Sequence, residues 1–208
     1  MNKWTLRSAA ILFALFCMIS FGVLNSTFDA IEDSIYTSLI GNMSPMLTSI
    51  MLTVTGIGNT VTVVSICVLL MLIPKTRRTV ALPVIFSVIL SAPINLLLKF
   101  LFARERPNIF PLIVETGFSF PSGHAMNNAA LYSALILALV HYAGNVRKML
   151  VPVLFCGGLA ITIGISRVYL GVHYAGDILC GWLLGVDIAI IMHHTCLKHI
   201  STRIIRNE

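Results

Sequence analysis

Six stretches of this chain, at about residues 8–24, 50–73, 80–100, 123–142, 149–168 and 176–194, are almost wholly apolar. Each is near the roughly 20 residues that an α-helix needs to cross the hydrocarbon core of a bilayer. Lipid gives the backbone no hydrogen-bond partner, and a helix satisfies its own N–H and C=O groups within one segment. The sequence therefore predicts an all-α polytopic membrane protein, six transmembrane helices in a bundle, with residues 1–208 as one domain. Composition agrees: 57% of residues are hydrophobic, 11% are charged and the mean hydropathy is +0.93. Soluble domains are about a quarter charged. The first run follows Lys3 and Arg7, as a signal peptide would, yet it is long and no small-residue cleavage site follows it. It reads as an uncleaved span.

The charges give the spans a direction. If six helices alternate, Lys3, Arg7, Lys75, Arg77, Arg78, Arg147, Lys148, Lys198, Arg203 and Arg206 all fall on one side, ten of the 14 Lys and Arg residues. The positive-inside rule makes that side cytoplasmic, so both termini are expected there. Asp29, Glu32, Asp33, Glu105, Glu115 and Asp177 fall on or near the other side. A net charge of +6 arranged in this way is a topology signal and argues against a nucleic-acid partner. The five cysteines (17, 67, 156, 180 and 196) lie in apolar segments without metal-ligand spacing and read as small hydrophobic filler.

Residues 25–49 are too polar to span. Phe28, Ile31, Ile35, Leu39 and Ile40 recur at helical spacing, so the segment is either an amphipathic helix lying in the outer interface or a plain extracytoplasmic loop.

Four basic residues remain: Lys99, Arg104, Arg106 and Arg167. Lys99 is expected at the outer end of the third span, Arg106 in the loop after it and Arg167 at the outer end of the fifth span. A single lysine or arginine at a helix end commonly snorkels to the headgroups. Three that converge on the face carrying His124 and His173 point instead to an anion site, since guanidinium forks pair with phosphate oxygens bidentately. Pro121-Ser122-Gly123-His124 opens the fourth span, where a helix N-terminus offers free N–H groups and a positive dipole end. Gly123 permits close backbone approach, and the Ser122 hydroxyl adds a donor. His173 and Asp177 are four residues apart and share a face if the sixth helix reaches back that far. A carboxylate that takes the imidazole N–H leaves the other ring nitrogen free to attack.

This set predicts phosphoryl chemistry. Lys99, Arg106, Arg167, Ser122 and Gly123 would bind a phosphate and stabilise its equatorial oxygens. His173 would attack phosphorus to give a phosphohistidine, oriented by Asp177. His124 would protonate the leaving oxygen and then activate the hydrolytic water. Neither a metal nor a cofactor is expected, because the outer-face carboxylates are dispersed.

The motifs Lys99-x6-Arg106-Pro107, Pro121-Ser122-Gly123-His124 and Ser166-Arg167-x5-His173-x3-Asp177 resemble those of the type 2 phosphatidic acid phosphatase (PAP2) superfamily of lipid phosphatases. Every defining position is matched. The segment from Arg106 to His124 and the small size look most like the compact bacterial members, phosphatidylglycerophosphatase B-type enzymes among them. That resemblance implies a bacterial cell-membrane enzyme, with its site at the extracytoplasmic interface. It implies hydrolysis of a terminal phosphate of phosphatidylglycerol phosphate, phosphatidate or a polyprenyl diphosphate. A dedicated undecaprenyl diphosphate phosphatase is the alternative. A non-catalytic lipid-binding or transport scaffold should have lost a catalytic histidine, and the six spans disfavour a soluble haloperoxidase-like relative. The expected partners are the lipid substrate and the bilayer, with no obligate protein partner. Asn95 is expected to be structural and Asp187 to face protein or water. Arg104 and Glu115 flank the site, where each either tunes the headgroup or has no part in it, and His193, His194 and His199 are expected near the cytoplasmic interface.

Overall fold

The first apolar run folds as α1 (Lys3–Leu24), and the segment with two competing readings folds as a helix, α2 (Asp29–Gly41). The structure, a computed structural model, describes residues 3–142 and 146–206, with side chains over 3–142 and 147–198. Asp29 and Glu32 lie in the first turn of α2, where the helix dipole favours anions. The face that α2 turns to the protein is polar: Glu32 and Tyr36, one turn apart, are buried. Ile31 and Ile35, part of the pattern that suggested the helix, stay exposed.

The second span departs from expectation. Residues 50–73 were expected to form one helix, but the chain forms α3 (Pro45–Ile57) and α4 (Thr60–Leu72), bent by 46° at Gly58-Asn59. Asn59 Oδ1 accepts from the Thr62 N–H at 2.8 Å and starts α4 as its N-cap. At the break Asn128 Nδ2 donates to the freed Gly58 carbonyl at 2.8 Å. A Cβ on Gly58 would lie 2.5 Å from Ile163, so the glycine allows the approach that the break exploits. The bend leaves Thr55 facing the bundle.

A π-helical turn (Arg77–Ala81) leads into α5 (Leu82–Phe102), followed by α6 (Gly123–Tyr142), α7 (Val146–Tyr169) and α8 (Ala175–Arg206). Among the described residues five helices are long and apolar enough to cross a membrane, and six if α3 and α4 act as one bent span. No strand occurs among them. The start of α8 at Ala175 places His173 in the preceding turn, so His173 and Asp177 do not share a helix face.

Helix α8 lies at the centre, packed against α6, α1 and α5. Its contact with α6 is backbone to backbone. A Cβ on Gly185 would fall 2.4 Å from the Met126 carbonyl oxygen, and one on Gly181 would fall 2.9 Å from that of Ser122. Between membrane helices, where lipid removes much of the hydrophobic driving force, such close approach of small residues supplies the packing. Gly185→Val is expected to force α6 and α8 apart at a cost of ~1–3 kcal/mol or more. Thermal unfolding in detergent should register it as a lowered midpoint.

Candidate functional site

Two loops meet at one end of the bundle, residues 103–122 between α5 and α6 and residues 170–174 between α7 and α8. The α5 helix ends at Ala103, whose φ of 45° puts it in the left-handed region, with its N–H donating to the Lys99 carbonyl at 2.9 Å. That cap turns Arg104 back over the bundle. The 170–174 turn needs Gly171, at φ 73°, where a Cβ would lie 2.1 Å from the Tyr36 hydroxyl oxygen and 2.7 Å from the Phe110 carbonyl. Tyr36 Oη donates to that carbonyl at 2.9 Å, and the Leu112 N–H donates to the Leu170 carbonyl at 3.0 Å. Phe120, fully buried against Phe102 and Phe16, anchors the far end of the first loop.

Within this frame His173 is almost fully buried, at 2% exposure. Its Nε2 lies 3.2 Å from Arg106 Nη1, and a guanidinium can only donate, so Nε2 carries the lone pair and Nδ1 the proton. The Nδ1–H faces two acceptors, Ser119 Oγ at 3.2 Å and Asp177 Oδ2 at 3.4 Å. Ser119 Oγ in turn donates to Asp177 Oδ2. The carboxylate expected to orient the imidazole therefore does so in large part through a serine hydroxyl, since 3.4 Å is beyond an ordinary N–H···O distance. Burial pushes the His173 pKa down to about 4, against the pull of Asp177. The ring is thus neutral, the form with a free lone pair, at neutral pH.

Asp177 is fully buried and saturated with donors. Its Oδ2 also accepts the Tyr174 N–H at 2.9 Å, the reach of an N3 acid back to the start of its helix. Its Oδ1 accepts from Arg104 Nη1 at 2.7 Å. Arg104 Nη2 donates to Glu32 of α2, and Glu32 Oε1 accepts the Gly176 N–H at 2.8 Å. The Arg104 guanidinium also lies 4.1 Å over the Tyr174 ring.

The three expected cations converge and are all engaged. Lys99 Nζ donates to the Phe118 carbonyl and, at 3.4 Å, to that of Ser119. Arg106 also donates to the carbonyls of Val172 at 2.8 Å, Gly117 at 2.9 Å and Thr116 at 3.1 Å. Arg167 donates to Thr55 Oγ1 at 2.8 Å and to the Glu115 carboxylate. His124, in the first turn of α6, is partly buried within reach of the charges of Arg167, Glu115 and Arg106. Ser122 Oγ accepts the Ala125 N–H at 3.4 Å, so the hydroxyl expected to face phosphate also caps α6. Gly123 lies against Asn95, whose amide donates to the Pro121 carbonyl at 3.0 Å, a structural tie.

Sequence reasoning missed Ser119, Glu32 and Thr55 and placed Arg104 only at the flank of the site, with headgroup tuning as one of two readings. Ser119 was within reach as a polar residue between two phenylalanines, two positions before the Pro-Ser-Gly-His motif. Thr55 carries no local signal. Asp187 and His193 are buried in α8 and belong to neither loop, and the His199 side chain lies outside the described residues. Among the described residues no three His, Cys, Asp or Glu side chains are grouped to hold a metal ion. Ser119→Ala is expected to lower kcat by ten- to a hundredfold, the ~1.5–3 kcal/mol of a hydrogen bond to a charged group, with KM little changed. Steady-state kinetics on the folded variant would check this.

Residues 80–201 match the PAP2 superfamily. Phosphatidylglycerophosphatase B of Bacillus subtilis is 30% identical over 180 residues, spanning 84% of this chain and 88% of that one. An undecaprenyl-diphosphatase of Sulfolobus acidocaldarius is 28% identical over 130 residues, 59% of this chain and 58% of the other. The fold is similar to the crystal structure of a transmembrane PAP2 type phosphatidylglycerolphosphate phosphatase from Bacillus subtilis. The TM-score is 0.84 at 28% identity, over 92% of this chain and 96% of that one.

Proposed function

The chain belongs to the PAP2 superfamily, and on that premise we propose that it is a membrane lipid phosphate phosphatase acting through a phosphohistidine on His173. The observation that carries this reading is the His173 imidazole, neutral, with its proton held toward Ser119 and Asp177 and its lone pair turned toward Arg106.

Lys99, Arg106 and Arg167 bind the terminal phosphate, with the α6 N-terminus at Ser122 and Gly123 supplying N–H groups. Arg106 passes from His173 Nε2 to a phosphate oxygen, freeing the lone pair. Nε2 attacks phosphorus in line, the bond to the leaving oxygen breaks, and the His124 imidazolium gives that oxygen its proton. Asp177, steadied by Arg104 and Ser119, balances the positive charge that develops on His173. His124, now neutral, takes a proton from water. The resulting hydroxide attacks phosphorus, the N–P bond breaks, and inorganic phosphate leaves with His173 restored.

The Bacillus relatives favour phosphatidylglycerol phosphate as substrate. The archaeal relative favours a second reading, an undecaprenyl diphosphate phosphatase. The Bacillus relatives support a bacterial cell membrane setting, and the charge pattern supports cytoplasmic termini and an outward-facing site. An assay of purified protein in detergent with EDTA, on phosphatidylglycerol phosphate, phosphatidate and undecaprenyl diphosphate, tests the substrate and the metal-free reaction together. Turnover is expected to survive EDTA, and its loss would sink that mechanism. Val114→Cys, at 95% exposure in the 103–122 loop, should react with an impermeant maleimide from outside intact cells. Labelling only after lysis would reverse the orientation.

A further inference from the structure

The most deeply buried of the three cations is already held by an anion of the protein. Lys99 and Arg106 rest on backbone carbonyls and on the neutral His173 ring. Arg167 alone among them is paired with a carboxylate, that of Glu115. Its Nη1 is tied to Thr55, and its Nε is buried with no hydrogen-bond partner among the described residues.

The two members of this pair differ in freedom. The Arg167 side chain is 2% exposed and fixed in α7 by Thr55, whereas that of Glu115 is 32% exposed and sits on a loop. Val114 beside it is nearly free of contacts, at 95% exposure. When an incoming anion reaches Arg167, the side chain able to move is Glu115. Its carboxyl also stays charged: burial would raise its pKa, but the hydrogen bond and charge of Arg167, with the nearby His124 and Arg106, hold it below the usual glutamate value.

We propose that Glu115 is an internal competitor for the phosphate site. Its carboxylate occupies Arg167 in the free enzyme, is displaced by the phosphate of the substrate, and returns to Arg167 as inorganic phosphate leaves. Substrate affinity is thereby held down, and product release is assisted by an anion already tethered beside the cation. Displacement also frees Nη2, which with the unpartnered Nε forms one guanidinium edge that matches the bidentate geometry of a phosphate. This inference rests on the assignment of Arg167 to phosphate binding.

The test is inhibition by inorganic phosphate of the full-length protein in detergent, compared among wild type, Glu115→Ala, Glu115→Gln and Lys99→Ala. Glu115→Ala is expected to lower the inhibition constant about tenfold, equivalent to ~1.4 kcal/mol. Glu115→Gln keeps an acceptor for Arg167 while removing the charge, so it secures a folded protein and should lower the constant by a smaller factor. A glutamate that merely positioned Arg167 would give the opposite sign, a raised constant in both variants. An unchanged or raised constant in the Glu115 variants, with Lys99→Ala weakening inhibition, overturns the competitor and leaves the phosphate site standing. If Lys99→Ala has no effect either, the phosphate site itself is misassigned, and the competitor falls with it.

Discussion

His173→Ala is expected to remove turnover almost completely, by roughly 10⁴-fold or more, while the protein still folds and binds phosphate. Covalent catalysis routes both half-reactions through one atom, and removing a nucleophile of this kind costs about as much as removing its whole constellation. Binding should persist because Lys99, Arg106 and Arg167 are held by other groups: the Phe118 carbonyl, the Thr116, Gly117 and Val172 carbonyls, and Thr55. The alanine also removes a buried imidazole that donates toward Ser119, which can still donate to Asp177. The readouts are turnover of a lipid phosphate and protection by inorganic phosphate against thermal unfolding. Substantial residual turnover would exclude the assigned nucleophile.

His124→Ala separates the two histidines by kind as well as by size. A positioned acid or base contributes about 10²–10⁴-fold, so a lipid alcohol leaving group should suffer a loss in that range. With p-nitrophenyl phosphate the leaving group needs no proton, and the first step should survive. The second step still lacks its base. A phosphoprotein labile in acid and stable in base should then accumulate in this variant and be absent from His173→Ala.

The spans were legible because the hydrocarbon core imposes a length and a composition that few other segments share. The break at Gly58-Asn59 was not, because hydropathy does not report where a backbone carbonyl will be taken by Asn128 of another helix. The candidate site motifs stood out because their cations, histidines and carboxylate sit at the spacings that the family resemblance supplied. What they did not contain is the support behind them. Ser119 lies close to the second motif, and its role follows from the loop returning over α8. Glu32 lies some 145 positions before Asp177, and only the docking of α2 by its polar face brings the two onto one arginine. Long-range polar contacts of this sort leave no periodic trace, since a single buried acid amid Ile31 and Ile35 looks like the solvated side of an amphipathic helix.

That arginine carries the largest effect expected on stability. Arg104 joins two buried carboxylates, with side-chain exposures of 15% for itself, 3% for Glu32 and 0% for Asp177. Arg104→Met preserves much of the side-chain volume and removes the cation, leaving two carboxylates near each other without their shared donor. Breaking a buried pair in this way costs about 3–5 kcal/mol, because the desolvation of the survivors is no longer offset. Asp177 Oδ1 also loses its anchor, so the carboxylate no longer holds Ser119 and His173 in register. Arg104→Met should therefore lower both the unfolding midpoint in detergent and kcat. Adding Glu32→Gln removes one of the two stranded charges, so the double variant is expected to recover stability relative to Arg104→Met. It should not recover kcat, since Asp177 Oδ1 still lacks its donor. Melting of Arg104→Met at the wild-type temperature would refute the buried network. Parallel recovery of stability and turnover in the double variant would reduce Arg104 to a purely structural residue.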